Sequence, residues 1–277
     1  MKNSTKYNIF LTLSNLFRNL VLVFNIVLLY KLGFNIKEIL LYYLIFFFAG
    51  IFINIGVIYL TNYIKPKYIL ILSNILFCLS YYYLSNIQSN ITNLIIFSIL
   101  SSLSSYTYHI IRHYYAFKYT NNSNSEIGNI LIYSYLGIIL SSYIGPYIID
   151  KYSLFIIIII MFILSIFSLI PLLLFKEEID KEEIINIKID KTRKIFFIFE
   201  QSKVLFLIIQ PLYLYLYISD KLKFIGIFNI INCIASILVV YYVVRKVKIN
   251  KYFKYINIFL IVILILKLNI LDRKSVV

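Results

Sequence analysis

The sequence predicts an all-α fold: a polytopic bundle of transmembrane helices. Hydrophobic residues make up 61% of the 277-residue chain, and the mean hydropathy is +0.88, which is more apolar surface than a soluble domain of this size can bury. These residues are concentrated in segments of roughly twenty residues, each long enough to cross a hydrocarbon core of about 30 Å. The nine segments are 9–30, 38–60, 67–85, 91–115, 127–149, 153–175, 198–218, 224–244 and 252–271.

The distribution of Lys and Arg between the loops predicts the orientation of these helices. With the N-terminus in the cytoplasm, the cytoplasmic loops carry seventeen of these residues and the opposite loops carry five. Cytoplasmic loops of membrane proteins are enriched in Lys and Arg, so we expect a multi-pass protein of the inner (cytoplasmic) membrane. Orientation and contact with anionic lipid also account for the net charge of +15. The expected macromolecular surroundings are therefore the lipid bilayer, not nucleic acid.

Helix one carries three polar side chains at membrane depth. Asn15, Arg18 and Asn25 fall within about 80° of arc on one face of the helix. Charged and amide groups are costly in the bilayer unless they face a bundle interior or water, so all three are candidate substrate contacts. The guanidinium of Arg18 predicts binding of an anionic or polar substrate. The alternative is that Arg18 snorkels to the inner headgroups.

Helices four and five carry the other conspicuous polar and small residues. Helix four presents a polar stripe at spacings of three and four that includes Ser98, Ser101, Ser102, Ser105, Tyr108, His109 and Arg112. The serines favour helix packing, whereas His109 is a candidate for substrate binding or proton relay. Helix five places Ser134, Gly137, Ser141 and Gly145 on one stripe, which favours close helix approach. Pro146 is expected to bend or end this helix.

Two short stretches resemble signatures of the major facilitator superfamily of transporters. Residues 58–70 read IYLTNYIKPKYIL and are similar to the family's loop between helices two and three, with Leu60, Lys67 and Leu70 kept and Asn62 at the position of an aspartate. The end of helix five, SSYIGP over 141–146, resembles the family's Gly-Pro signature. The segments 30–39 and 216–225, which lie 186 residues apart, are faintly similar and fit a parallel repeat of the two halves.

The resemblance implies two halves that rock around a midplane site. The expected divisions are a six-helix half at 1–175, a cytoplasmic loop at 176–197 and three helices of a second half at 198–271. Helix seven would then face helix one across the cavity and add Gln210, Tyr213 and Tyr217 to the substrate contacts. Expected gating or structural residues are Asn62, Lys65, Lys67, Gly145, Pro146, Glu200 and Lys203.

The implied activity is transport of a small solute by alternating access, by a monomer without a cofactor or metal. No paired carboxylates, nucleophile–base pair or Gly-rich phosphate loop indicates an enzyme. Two alternatives remain open at this point. One is an exporter or flippase of lipid-linked oligosaccharides, and the other is a non-transporting membrane scaffold or membrane-bound enzyme.

The last six residues, 272–277, break the apolar pattern and read DRKSVV. They can be encoded by GAT CGG AAG AGC GTC GTG, which matches the start of a common sequencing adapter, and the next adapter codon is a stop. We therefore expect residues 272–277 to be a sequencing-adapter artefact and the natural chain to continue beyond helix nine.

Overall fold

The computed structural model describes residues 3–119, 124–152, 154–174 and 209–241. All regular secondary structure in these ranges is helical, which confirms the all-α prediction. The helices are α1 (Asn3–Leu22), α2 (Asn25–Lys31), α3 (Ile36–Leu60), α4 (Pro66–Ser85), α5 (Ile91–Tyr119), α6 (Asn124–Lys151), α7 (Leu154–Leu173), α8 (209–217) and α9 (Leu222–Val239). The predicted ninth segment and the adapter-like residues lie outside the described ranges.

Six helical segments are long and apolar enough to span a membrane. They coincide with the first six predicted segments and run over Ser4–Lys31, Ile36–Leu60, Pro66–Ser85, Ile91–Ala116, Glu126–Lys151 and Leu154–Leu173. Exposed Leu, Ile and Phe side chains form stripes along α3, α4 and α7, as expected where helices face hydrocarbon. The chain is therefore a membrane-embedded helical protein.

The first segment departs from the prediction of one unbroken helix. It consists of α1 and α2, with a break at residues 23–24. Gly145 of α6 lies against this break: a Cβ built on Gly145 would come within 2.8 Å of the Leu20 carbonyl oxygen and 3.1 Å of the Phe24 ring. The close approach of a second backbone accompanies the interruption, and no pattern within the first segment alone indicates it.

The helices share two ends, which we name after residues in their turns. The Gly33 end contains the turns at 32–35, 86–90 and 218–221, and the Pro66 end contains the start of α1 and the turn at 61–65. At the Gly33 end, α2 closes with Gly33 at a positive φ of 94°, and Phe34 N–H donates back to the Leu29 carbonyl. Asn35 then caps α3 in a reciprocal capping box with Glu38.

The packing of α1 to α7 is symmetrical, because exchanging two sets of three helices leaves the packed pairs unchanged. The main packed pairs are α1 with α6, α3 with α5, α4 with α5, α1 with α7, and α4 with α7. Exchanging α1 with α5, α3 with α6 and α4 with α7 reproduces the same set of pairs. Because α1 starts at the Pro66 end and α5 at the Gly33 end, the two triplets are inverted relative to one another. This is the arrangement of an inverted three-helix repeat.

Hydroxyl groups make equivalent contacts in the two related helix pairs. On α5, Ser98 and Ser102 each donate a 2.7 Å hydrogen bond to a backbone carbonyl of α3, at Tyr42 and Phe46. On α1, Thr12 donates a 3.0 Å hydrogen bond to the Tyr133 carbonyl of α6. Interhelical hydrogen bonds and small residues are what hold helices together where lipid provides no hydrophobic drive.

The small-residue stripe of α6 packs against α1, as predicted for close approach. A Cβ on Gly137 would overlap the Thr12 carbonyl oxygen, and Gly145 meets Leu20. Of the two predicted effects of Pro146, a bend or an end of the helix, the end does not occur, since α6 continues through Pro146 to Lys151. Pro146 has no N–H to offer the Ser142 carbonyl, and Gly226 of α9 approaches this same carbonyl. An interhelical contact occupies the place where the helix lacks a hydrogen bond.

Helix α9 lies on the outside of the first seven helices. Its main partner among the described helices is α6, and Asn229 donates a 2.7 Å hydrogen bond to the Ser142 hydroxyl. Residues of α8 pack at the Gly33 end, where the Tyr215 ring lies 6.3 Å from the Tyr30 ring and 5.5 Å from Lys31 Nζ. Lys31 also forms a 3.7 Å ion pair with Asp150. Both helices therefore pack against the first seven at or near the Gly33 end.

Candidate functional site

Arg18 lies in the middle of the first membrane span and is 2% exposed. Its Nη2 donates to the Ser73 hydroxyl at 3.1 Å and to the Asn74 side-chain oxygen at 2.9 Å, both on α4. The guanidinium carbon lies 4.0 Å from the centre of the Tyr108 ring on α5 and 4.6 Å from that of Phe77 on α4. Arg18 therefore joins three helices and does not extend to a headgroup region.

The surroundings of Arg18 are polar but uncharged. No carboxylate of the described residues lies within ion-pair distance of its guanidinium. Asn74 is itself held by a 3.3 Å hydrogen bond that its amide donates to Ser168 of α7. The two aromatic faces of Tyr108 and Phe77 provide cation–π attraction in this buried site. A buried cation with neutral hydrogen-bond partners is only partly compensated for the loss of its hydration.

A second polar chain links α1, α5 and α6 nearer the Pro66 end. The Ser134 hydroxyl accepts hydrogen bonds from Asn15 Nδ2 at 2.8 Å and from Arg112 Nη2 at 3.2 Å. The Arg112 carbonyl accepts a 2.6 Å hydrogen bond from Tyr7 on α1. The Arg112 side chain therefore points into the bundle.

His109 is exposed, unlike Tyr108 beside it. On α5, Ser98 and Ser102 contact α3, while Tyr108 and Arg112 contact α1. At 100° per residue, His109 falls between Ser98 and Ser102, on the arc of α5 that contacts α3, and 80° away from Ile99 on the lipid-facing side. Its charged neighbours are Arg112, Arg18 and His113. The exposed imidazole therefore lies on the α3-facing side of α5.

Asn25 belongs to a separate polar cluster nearer the Gly33 end. Its amide donates a 3.2 Å hydrogen bond to the Tyr42 hydroxyl of α3, and its oxygen accepts a 3.1 Å hydrogen bond from the Tyr81 hydroxyl of α4. Asn15, Arg18 and Asn25 share a helix face in the sequence, but each contacts different partners. The break between α1 and α2 contributes to this separation, because it interrupts the helical register before Asn25.

The predicted contacts on helix seven lie in α8. Gln210 and Tyr213 are half-buried, and Tyr217 is 76% exposed. The rings of Tyr213 and Tyr217 lie 5.1 Å apart, while Leu212 and Leu214 enter the apolar cluster at the Gly33 end. The described contacts do not bring Gln210, Tyr213 or Tyr217 to Arg18 or His109.

The predicted gating or structural residues lie at both ends of the bundle. Asn62 and Lys65 form part of the α3–α4 turn, and Lys67 in the first turn of α4 lies 5.4 Å from the Tyr68 ring. Gly145 and Pro146 lie where α6 meets α2 and α9, as described above. Glu200 and Lys203 lie outside the described residues.

A groove between α6 and α9 near the Gly33 end was not predicted. It has a volume of about 420 Å³. Ser142, Tyr143, Tyr147, Asp150, Lys151 and Lys223 provide its polar lining. Sequence reasoning also did not assign roles to Ser73, Asn74 and Tyr108, which surround Arg18. The four-residue spacing between Tyr108 and Arg112, which places both on one face of α5, could have indicated a role for Tyr108. No pattern in the sequence singles out Ser73 or Asn74 of α4.

Comparison of the sequence with known protein families and with curated proteins yields no match.

Proposed function

We propose that the chain is a membrane transporter that moves a small solute by alternating access, in the manner of the major facilitator superfamily. The observation that carries this proposal is the packing symmetry of α1 to α7, in which exchanging two helix triplets leaves the packed pairs unchanged. An inverted three-helix repeat is the building unit of several transporter folds, whose substrate sites lie near the bilayer midplane. Arg18 lies at that depth, in the middle of its span.

The contrast between the two ends of the bundle supports the same proposal. At the Gly33 end, α8 packs on Tyr30 and Lys31, and Gly226 of α9 contacts α6. On the other side of the midplane, His109 and His113 are exposed. With the N-terminus in the cytoplasm, as the loop charges predict, these contacts would lie on the outer side and the two histidines on the cytoplasmic side, as in a transporter that opens to the cytoplasm. The helices α8 and α9 would then belong to a second half.

Uptake assays test the proposal. Cells expressing the chain are assayed with radiolabelled amino acids, sugars, nucleosides, inorganic phosphate and dicarboxylates. We expect at least one solute to accumulate or to be expelled faster than in control cells. Arg18→Ala is expected to abolish this flux without reducing membrane insertion, because the substituted residue keeps the span apolar. Flux that is unchanged in Arg18→Ala would reject the role of this residue.

A control variant distinguishes the loss of the Arg18 site from the general effect of removing one cation. Lys37→Gln removes an exposed cation in the first turn of α3 at the Gly33 end. Since this cation lies outside the Arg18 cluster, the variant is expected to retain most of the flux. If the inserted wild-type chain moves none of the tested solutes, the non-transporting scaffold becomes the better interpretation.

A further inference from the structure

Two hydrogen-bond donors beside each other in the bundle interior have no acceptor. Arg18 Nε is buried without a partner among the described residues, and so is the hydroxyl of Tyr108. The guanidinium donates its hydrogen bonds to Ser73 and Asn74 through Nη2. A buried donor without an acceptor loses its hydration and gains nothing in return. The two donors belong to one cluster, since the guanidinium carbon lies 4.0 Å from the Tyr108 ring centre.

The positive charge of this cluster also has no negative partner among the described residues. The acidic residues of the described ranges are Glu38, Glu126, Asp150 and Asp220, all at or near helix ends. None lies within ion-pair distance of Arg18. A guanidinium in a dry interior is strongly stabilised by an anion with which it forms charge-assisted hydrogen bonds. The cluster has donors and positive charge, and it lacks an acceptor with negative charge.

Positive and polar groups also lie on α5 between Tyr108 and the Pro66 end. Arg112 is half-buried and points inward to Ser134. His109 and His113 are exposed on the same helix, and Arg112, Arg18 and His113 all act electrostatically on His109. Charges of one sign that are grouped among apolar helices attract ions of the opposite sign.

The position of the cluster favours a soluble ligand over a lipid headgroup. Ser73, Asn74 and Phe77 lie on the buried face of α4, while the exposed face of the same helix carries Leu72, Ile75 and Leu79. An exposed apolar face of this kind is expected to contact lipid, and it lies on the side of α4 away from Arg18. A small anion that enters beside His109 does not need to cross it.

We infer that Arg18 and Tyr108 form the binding site of a small soluble oxyanion, a phosphate or a carboxylate group. The unpartnered Nε–H of Arg18 and the Tyr108 hydroxyl donate to its oxygens, and the guanidinium neutralises its charge. The inference rests on the proposed function and specifies its substrate class. It requires that a solute carry at least one anionic oxygen group.

Thermal unfolding of the purified full chain in a neutral detergent tests this site. Inorganic phosphate, sulfate, acetate and succinate are titrated separately against sodium chloride at equal ionic strength. We expect at least one oxyanion to raise the Tm by about 5–10 °C at roughly a hundredfold excess over its Kd, while chloride does not. Arg18→Gln is expected to lose this shift, and Tyr108→Phe is expected to need a several-fold higher ligand concentration for the same shift.

Asn74→Asp gives a test that does not depend on the folding of Arg18→Gln. It places a carboxylate where the Asn74 oxygen now lies, 2.9 Å from Arg18 Nη2. The internal carboxylate is expected to raise the Tm without ligand and to abolish the oxyanion shift. Lys31→Gln is the matched control, because it removes a cation outside the cluster and is expected to keep the full shift.

Three results would overturn the inference. They are the absence of any oxyanion shift above that of chloride, an undiminished shift in Asn74→Asp, and a shift with phosphatidylglycerol but with none of the soluble oxyanions. Uptake of a neutral solute together with the first result would retain the transporter and reject only the substrate class. Uptake of no solute together with an oxyanion shift would retain the site and reject transport.

Discussion

Gly137→Ala is expected to destabilise the bundle strongly, whereas Gly56→Ala is expected to be neutral or slightly stabilising. A Cβ on Gly137 would overlap the Thr12 carbonyl oxygen and come within 3.0 Å of Asn15 Cβ. The obstructing atom belongs to a helix backbone, so α6 and α1 must separate to accommodate the methyl group. Overpacking of this kind costs about 1–3 kcal/mol.

The two glycines make a matched pair because the substitution is the same. A Cβ on Gly56 meets nothing within 4 Å, since this residue lies on an open face of α3. At this position Gly56→Ala only raises the helix propensity, which stabilises the helix by up to about 1 kcal/mol. The measurement is the Tm of each variant in the same detergent. Equal effects of the two substitutions would contradict the close packing of α6 on α1.

The second large effect is expected at the hydrogen bond between Arg18 and Asn74. Asn74→Leu removes an acceptor from a buried cation, which costs about 2–3 kcal/mol. Arg18→Met also destabilises, because it leaves the Asn74 oxygen without its 2.9 Å donor. The double variant removes both groups and is expected to be more stable than the sum of the single effects predicts.

This double-mutant cycle is measured by unfolding in detergent. We expect a coupling energy of about 1.5–3 kcal/mol between the two positions. Ser80→Ala on α4 serves as a control, since the Ser80 hydroxyl donates within its own helix to the Phe77 carbonyl. Additive effects of Arg18→Met and Asn74→Leu would show that the buried cation does not depend on this acceptor.

The number and limits of the first six spans could be predicted because length and hydropathy are local properties. Segments 67–85 and 91–115 agree closely with α4 and α5. The break at residues 23–24 could not be predicted, since it lies where Gly145, more than a hundred positions away, approaches the chain. Likewise Pro146 predicts a helix end locally, but Gly226 of α9 contacts the carbonyl that the proline leaves free.

The site was predictable only in part, because the cost of burying a charge is a local property whereas the contacts of that charge come from other helices. The cost of burying a cation identifies Arg18 from sequence alone, but its partners Ser73 and Asn74 are ordinary polar residues of another helix. The helical arc that groups Asn15, Arg18 and Asn25 holds only for a straight helix. Each of these residues contacts different neighbours, because their partners lie on four different helices, α3, α4, α5 and α6. Functional roles of these residues remain predictions.

The most direct measurement of alternating access is the accessibility of single cysteines to a membrane-impermeant maleimide. The native Cys78 and Cys233 are buried and are first replaced by alanine. His109→Cys reports on an exposed position of α5 toward the Pro66 end, and Ser142→Cys reports on the contact between α6 and α9, where Ser142 is 1% exposed. Ile99→Cys is the control, because this side chain is 46% exposed on the lipid-facing side of α5.

A transporter that opens to each side in turn predicts a specific labelling pattern. The reagent is expected to label His109→Cys when it is added on the cytoplasmic side of the membrane and Ser142→Cys when it is added on the opposite side. Ile99→Cys is expected to remain unlabelled from both sides, since lipid excludes the water that a thiolate needs. If Ser142→Cys also remains unlabelled from both sides, α6 and α9 do not separate and the chain is not a transporter of this kind.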